Sequence, residues 1–187
     1  MTKSNTAIKK RINIHTLTLV GLMSAVICIL GPLSIPIGPV PISFTNLAIF
    51  MTVILLGKKL GTISYMIYLL IGFIGLPVFS GFTGGAGKLF GPTGGYLIGF
   101  IFLAWITGFF VERFSDKIGF YIIGMLLGSL ITYVFGTAWL SFLTHMDLRA
   151  ALMVGVIPFI PGDICKILIA VIITPMIKRP LVKAGIL

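Results

Sequence analysis

Acidic side chains are nearly missing from this sequence: 187 residues contain only four Asp and Glu, and charged residues of both signs make up 10%. Soluble domains carry about 25% charged residues, so this chain has too few to cover a water-facing surface. Long polar connections are also lacking. With 58% of its residues hydrophobic, the chain has the bilayer as its natural solvent.

Two cysteines, Cys28 and Cys165, both fall in apolar segments without metal-ligand spacing, which excludes a disulfide framework and a metal centre built on them. The two histidines, His15 and His145, stand at span edges away from any ligand set. No Ser/His/Asp, Cys/His or paired-carboxylate constellation can be assembled within the apolar runs, so catalysis has little support. No nucleotide loop is present: neither Gly84-Gly85 nor Gly94-Gly95 is followed by Lys-Ser/Thr. Solute movement driven by ATP would therefore need a partner that hydrolyses it.

Apolar runs of membrane-crossing length are abundant. A hydrocarbon layer about 30 Å thick takes about 20 helical residues. Six candidates emerge at about Ile14–Leu30, Ser43–Leu56, Leu60–Leu76, Gly91–Val111, Ile118–Leu143 and Asp163–Ile177. The second and last are short, and Gly57-Lys58-Lys59 forms a tight basic turn between the second and third. The basic start Lys9-Lys10-Arg11 leads into the first run without a small-residue cleavage site, which marks a retained span rather than a cleaved signal.

The net charge of +10 is a matter of placement. Basic residues sit in short clusters between apolar runs, not on one folded face as a nucleic-acid site requires. With the N-terminus inside, Lys3, Lys9, Lys10, Arg11, Lys58, Lys59, Arg113, Lys117, Lys178, Arg179 and Lys183 are inner, and only Lys88 and Arg149 are outer. That asymmetry follows the positive-inside rule. The expected fold is an all-α integral membrane protein of six transmembrane helices with both termini inside. It forms one transmembrane domain over residues 1–187, with residues 1–12 as a cytoplasmic basic segment.

The outer connections, about 31–42 and 77–91, share an odd composition. The first carries no charge and four prolines, Pro32, Pro36, Pro39 and Pro41. Proline prevents helix continuation, so this stiff apolar segment is expected to fold down over something. The second is rich in glycine, which lets backbone approach a ligand closely. Irregular backbone at membrane depth is tolerated where it is buried in protein or lines a cavity. Phe79, Phe82, Phe90 and Tyr96 are expected to wall such a cavity; a connector that merely packs on the helix tops is the alternative.

Asp163 and Lys166 follow Pro161-Gly162 near the last run. The Pro-Gly pair is expected to break any preceding helix, with Asp163 capping the next. Three residues apart, the two ionisable groups share a helix face. Two readings stand: a cap and its ion-pair partner at the outer interface, or a polar pair meeting a ligand inside an apolar cavity, with Asn46 adding a donor and an acceptor. On the fifth run Gly124, Gly128, Thr132 and Gly136 recur every four residues, and on the first Gly21-x-x-x-Ala25 is similar. Such stripes let membrane helices approach closely, within the bundle or against a partner.

Taken together, Pro39-Val40-Pro41-Ile42, Gly57, Gly61, Gly75-Leu76-Pro77-Val78-Phe79, Gly91-Pro92-Thr93-Gly94-Gly95-Tyr96 and Pro161-Gly162-Asp163-x-x-Lys166 resemble the BioY family along almost the whole chain. BioY proteins are biotin-specific substrate-binding (S) subunits of energy-coupling factor (ECF) transporters. The resemblance implies a six-helix S-component in the bacterial cell membrane. Such a subunit binds biotin from outside as its transported ligand, without cofactor, metal or enzymatic activity. Its implied partners are a transmembrane T subunit and two ATPase subunits. By position, Asp163 and Lys166 would hold the ureido ring or another polar end, and Asn46, Thr93, Tyr96 and Phe79 would complete the pocket. Family members often carry Gln after a Pro-Ile-Thr-x string, where this chain has Thr45 followed by Asn46, and Asn46 would take that role. S subunits typically dock through Ala-x-x-x-Ala on the first helix, for which Gly21 and Ala25 are the nearest equivalent. An S subunit for another vitamin, an intramembrane enzyme and a purely structural membrane protein remain as alternatives.

Overall fold

The computed structural model describes residues 14–114 and 117–186. The basic start Lys3, Lys9, Lys10 and Arg11, with the rest of the segment 1–12, lies outside the described residues. Helix α1 (Ile14–Leu30) matches the first apolar run, and Ile14, Leu17, Leu22 and Ile29 point out of the protein. It ends where Gly31 N–H donates to Ile27 O at 2.8 Å. A Cβ at Gly31 would lie 2.8 Å from both the Tyr68 hydroxyl and Val78 O, so only glycine fits there.

The proline-rich connection then folds as a small hairpin, β1 (Ser34–Ile35) against β2 (Ile42–Ser43), pairing Ser34 with Ser43 and Ile35 with Ile42. Helix α2 (Thr45–Ile74) breaks at Gly57, whose φ of 77° and ψ of −175° are non-helical. The break reverses the chain. A Cβ on Gly61 would stand 2.7 Å from Val53 Cγ1, whereas residues eight apart in a straight helix are about 12 Å apart along the axis. The two arms of α2 are thus the second and third runs of the sequence. The first arm, about 18 Å long at 1.5 Å per residue, is enclosed by protein, with Ala48, Ile49, Phe50, Val53 and Ile54 fully buried.

The second arm ends in a left-handed Gly75 (φ 114°), whose N–H donates to Gly72 O, while Leu76 N–H donates to Ile71 O. Such a cap satisfies carbonyls left over at the helix end. The glycine-rich connection that follows contains the short α3 (Ala86–Leu89) and a Phe79–Thr83 bridge. Helices α4 (Gly94–Arg113) and α5 (Ile118–Thr144) form the most extensive seam of the bundle. The small-residue stripe makes it possible: a Cβ at Gly124 would strike Phe110, at Gly128 Leu103, and at Gly136 Tyr96. The stripe on α5 is therefore used within the protein.

After α6 (Leu148–Gly155), whose first turn is capped by the Asp147 carboxylate accepting from Arg149 N–H, helix α7 runs from Phe159 to Lys183. Here the expected break at Pro161-Gly162 is corrected. Pro158 occupies the cap position and Pro161 sits in the first turn, where a missing N–H sacrifices no helical hydrogen bond. Asp163 lies inside the helix, so its carboxylate is free to turn inward instead of capping.

Four helices, α2, α4, α5 and α7, are long and apolar enough to cross a membrane, and α1 is a shorter apolar helix. With α2 folded into two arms, the chain forms an all-α integral membrane bundle consistent with six passes. Its apolar exterior includes Leu130, Val134, Phe142, Ile172 and Met176. Several basic residues gather where the Gly57 turn meets α4 and α7. Lys58 packs on Gly108 and over the rings of Trp105 and Phe109, at 5.2 and 5.6 Å. Glu112 Oε1 accepts from Lys58 N–H at 2.7 Å, and Lys178 Nζ donates to Ile54 O at 2.9 Å.

Candidate functional site

At the opposite, charge-poor end a cavity of about 600 Å3, counted with its mouth, opens between α2, α4, α5 and α7. Its roof comes from the two odd connections: Val40, Pro41 and Ser43 from the hairpin and Ser80 from the glycine-rich segment. Of the proline-rich segment, Val40 folds down and packs with Tyr96, Leu140, Ala151 and Phe159, while Leu33, Ile35 and Ile37 stay exposed.

One wall is polar. Asp163 and Lys166, on consecutive turns of α7, are 8% and 6% exposed and joined by an ion pair of 3.0 Å. Asp163 Oδ1 also accepts from Asn46 Nδ2 at 2.8 Å, and its Oδ2 accepts from the Tyr133 hydroxyl at 2.5 Å. Asn46 is oriented by its own helix start, since Leu47 N–H donates to Asn46 Oδ1. Three elements thus converge on one carboxylate: the first arm of α2, α5 and α7. A buried ion pair needs such additional hydrogen bonds to offset the desolvation of its charges. An ionised carboxylate has about four acceptor positions and an ammonium three donors, so both retain capacity toward the cavity.

The remaining walls are apolar or neutral. Tyr96 presents its ring, stacked on Phe159 at 6.4 Å, because its hydroxyl is spent on Gly155 O at 2.9 Å. Thr45, Leu97, Phe100, Leu103, Ser129 and Thr132 complete the lining. Thr93, a buried member of the lining, donates to Lys88 O at 3.4 Å. Burial draws the neighbouring Lys88 ammonium below its ordinary pKa.

Of the residues singled out in the sequence, Asn46, Thr93, Tyr96, Asp163 and Lys166 all line this cavity. Phe79 does not. It is fully buried behind the wall, edge-on to Tyr68 at 5.5 Å and pressed onto Gly72, while its neighbour Ser80 reaches the lining. Phe82 and Phe90 are also off the wall, 66% and 62% exposed. The sequence reading missed Tyr133, Phe159 and Ser129. For Tyr133 a signal existed: a phenol in the middle of an apolar run must find a hydrogen-bond partner. Gly21 and Ala25 lie exposed on α1, with nothing within 4 Å of a Cβ placed on Gly21.

The sequence profile of the BioY family matches residues 2–183. The chain belongs to the BioY family. Among BioY relatives, the biotin transporter BioY of Thermotoga maritima is 40% identical over 159 residues, covering 85% of this chain and 93% of its own length. The biotin transporter BioY of Rhizobium etli is 35% identical over 181 residues, covering 90% and 96%. A crystal structure described as the S-component for biotin from an ECF-type ABC transporter superposes with a TM-score of 0.83 at 38% identity, covering 92% of this chain and 95% of that one. Two features quoted for the resemblance, the Gly57 turn and the Asp163–Lys166 pair, are therefore a hairpin corner and a cavity wall in a BioY fold.

Proposed function

We propose that this protein is the biotin-binding S subunit of an ECF-type vitamin transporter, capturing biotin at the charge-poor outer end of the bundle. The observation that carries the reading is the roofed cavity with a single buried polar cluster, Asp163, Lys166, Asn46 and Tyr133, against otherwise apolar and neutral walls. That composition suits a ligand with one compact, uncharged hydrogen-bonding ring and an apolar body. The Asp163 carboxylate takes N–H donors of the ureido ring, and Lys166 donates to its carbonyl. The ring face of Tyr96 covers the apolar body, and the ligand carboxylate stays at the mouth beside Thr93. The names of the relatives support the same ligand.

The subunit performs no bond chemistry; ATP hydrolysis belongs to two cytoplasmic ATPase partners, reached through a transmembrane T subunit that docks on the Gly21–Ala25 face of α1. The protein resides as a single multi-pass domain in the bacterial cell membrane, with both termini inside. Titration of the purified protein with biotin in detergent tests the reading. Binding tighter than micromolar is expected, and another vitamin bound more tightly than biotin would overturn the assignment.

A further inference from the structure

Ser129 lies about midway along α5, one turn from Tyr133 and so on the same helix face. It is 6% exposed, lines the cavity, and its hydroxyl has no hydrogen-bond partner among the described residues. Hydroxyls within apolar helices ordinarily donate back to the carbonyl four residues earlier. Ser24 does so to Val20 O at 2.8 Å, Thr52 to Ala48 O at 2.7 Å, and Thr132 to Gly128 O at 3.0 Å. Among the described residues the buried hydroxyls of Tyr68, Thr137 and Thr174 also show no hydrogen bond by the same geometry, but none of these lines the cavity. An unpaired buried hydroxyl is a cost to the empty protein and calls for a reason. At Ser129 the cavity offers one, because this residue lines the ligand space.

We infer that Ser129 is a specificity-determining ligand contact, its hydroxyl hydrogen-bonding an uncharged heteroatom of the bound ring one helical turn deeper than the Tyr133–Asp163 bond. This rests on the biotin reading. The surroundings of Ser129 decide the charge of what it meets. Phe100, Leu103 and Thr132 supply no counter-charge, and the Asp163–Lys166 pair is neutral as a unit, so a carboxylate at this depth would be buried without compensation. The ureido ring is the end that fits.

The test is Ser129→Ala, with Ser129→Cys as a volume-preserving companion should the alanine variant fail to fold. Affinity for biotin and for biotin methyl ester is measured by calorimetry, and melting temperature with and without ligand. For S129A we expect affinity about tenfold weaker for both ligands, the loss of one hydrogen bond in a dry site. The ligand-free melting temperature should be unchanged or higher, because an unpaired polar group has been removed. S129C is expected between the two, its thiol being a weak donor. Affinity within twofold of wild type would overturn the inference while leaving the biotin reading intact, and so would a loss matched by an equal fall in ligand-free stability. A loss seen with biotin but not with its methyl ester would place Ser129 at the carboxylate and overturn the ring contact. Wild-type protein that binds no biotin would overturn both readings together.

Discussion

The two ends of this bundle each turn on one carboxylate, and they use it oppositely. At the basic end Glu112 is exposed and accepts from the backbone N–H of Lys58, filling the place of a cap where the second arm of α2 begins. At the charge-poor end Asp163 is buried and accepts from three side chains carried by three different helices. The first fastens a turn whose groups water could otherwise satisfy. The second assembles a polar surface along the cavity from side chains of α2, α5 and α7. The Glu112 carboxylate is spent on backbone, whereas the Asp163 carboxylate gathers side chains beside the cavity.

This contrast is open to direct attack. The largest effect is expected from Asp163→Asn or Lys166→Ala. Truncating one member of a buried, hydrogen-bonded charge pair costs about 2–5 kcal/mol at a binding site, so biotin affinity should fall about thirtyfold or more by calorimetry while the bundle stays folded by circular dichroism. Wild-type affinity in both variants would remove the polar wall from the site. Next is Gly57→Ala at the other end. Its φ and ψ lie in a region reserved for glycine, and an added Cβ would stand 2.5 Å from Glu112 Oε1. A loss of about 1–3 kcal/mol of stability is expected, read as a lower melting temperature, with biotin affinity unchanged in the folded fraction.

Glu112→Ala should cost about 1 kcal/mol of stability, as loss of a helix cap does, again without touching affinity; a fall in affinity instead would erase the distinction between the ends. The smallest effect on binding is expected from Gly21→Leu or Ala25→Leu. Both positions face outward on α1, so affinity should stay within about twofold, since substitutions away from structural features rarely exceed 0.5 kcal/mol. Uptake by cells carrying the whole transporter should nevertheless drop, and undiminished uptake in both variants would remove the docking face.

Much of the molecule was legible before any coordinates. The α1 bounds, the hairpin corner at Gly57 and the stripe Gly124–Gly128–Thr132–Gly136 follow from span length, charge placement and side-chain size, which act within a few residues of one another. Asn46, Thr93, Tyr96, Asp163 and Lys166 were identifiable as polar or special residues beside helix ends. Two readings failed for the same reason. Aromatics in a glycine-rich segment can line a pocket, but the ring of Phe79 is buried over Gly72 instead. Proline ordinarily stops a helix, but the first-turn position of Pro161 tolerates it.

Apolar length and the one-sided placement of Lys and Arg, properties summed along the chain, therefore pointed to the membrane class, the spans and the expected orientation. Whether a given side chain reaches the cavity depends on how helices distant in sequence rotate and pack against each other. Only the tertiary structure turned Tyr133 onto Asp163, left Ser129 without a partner and swung Phe79 behind the wall, because those choices are made by neighbours far away in the sequence.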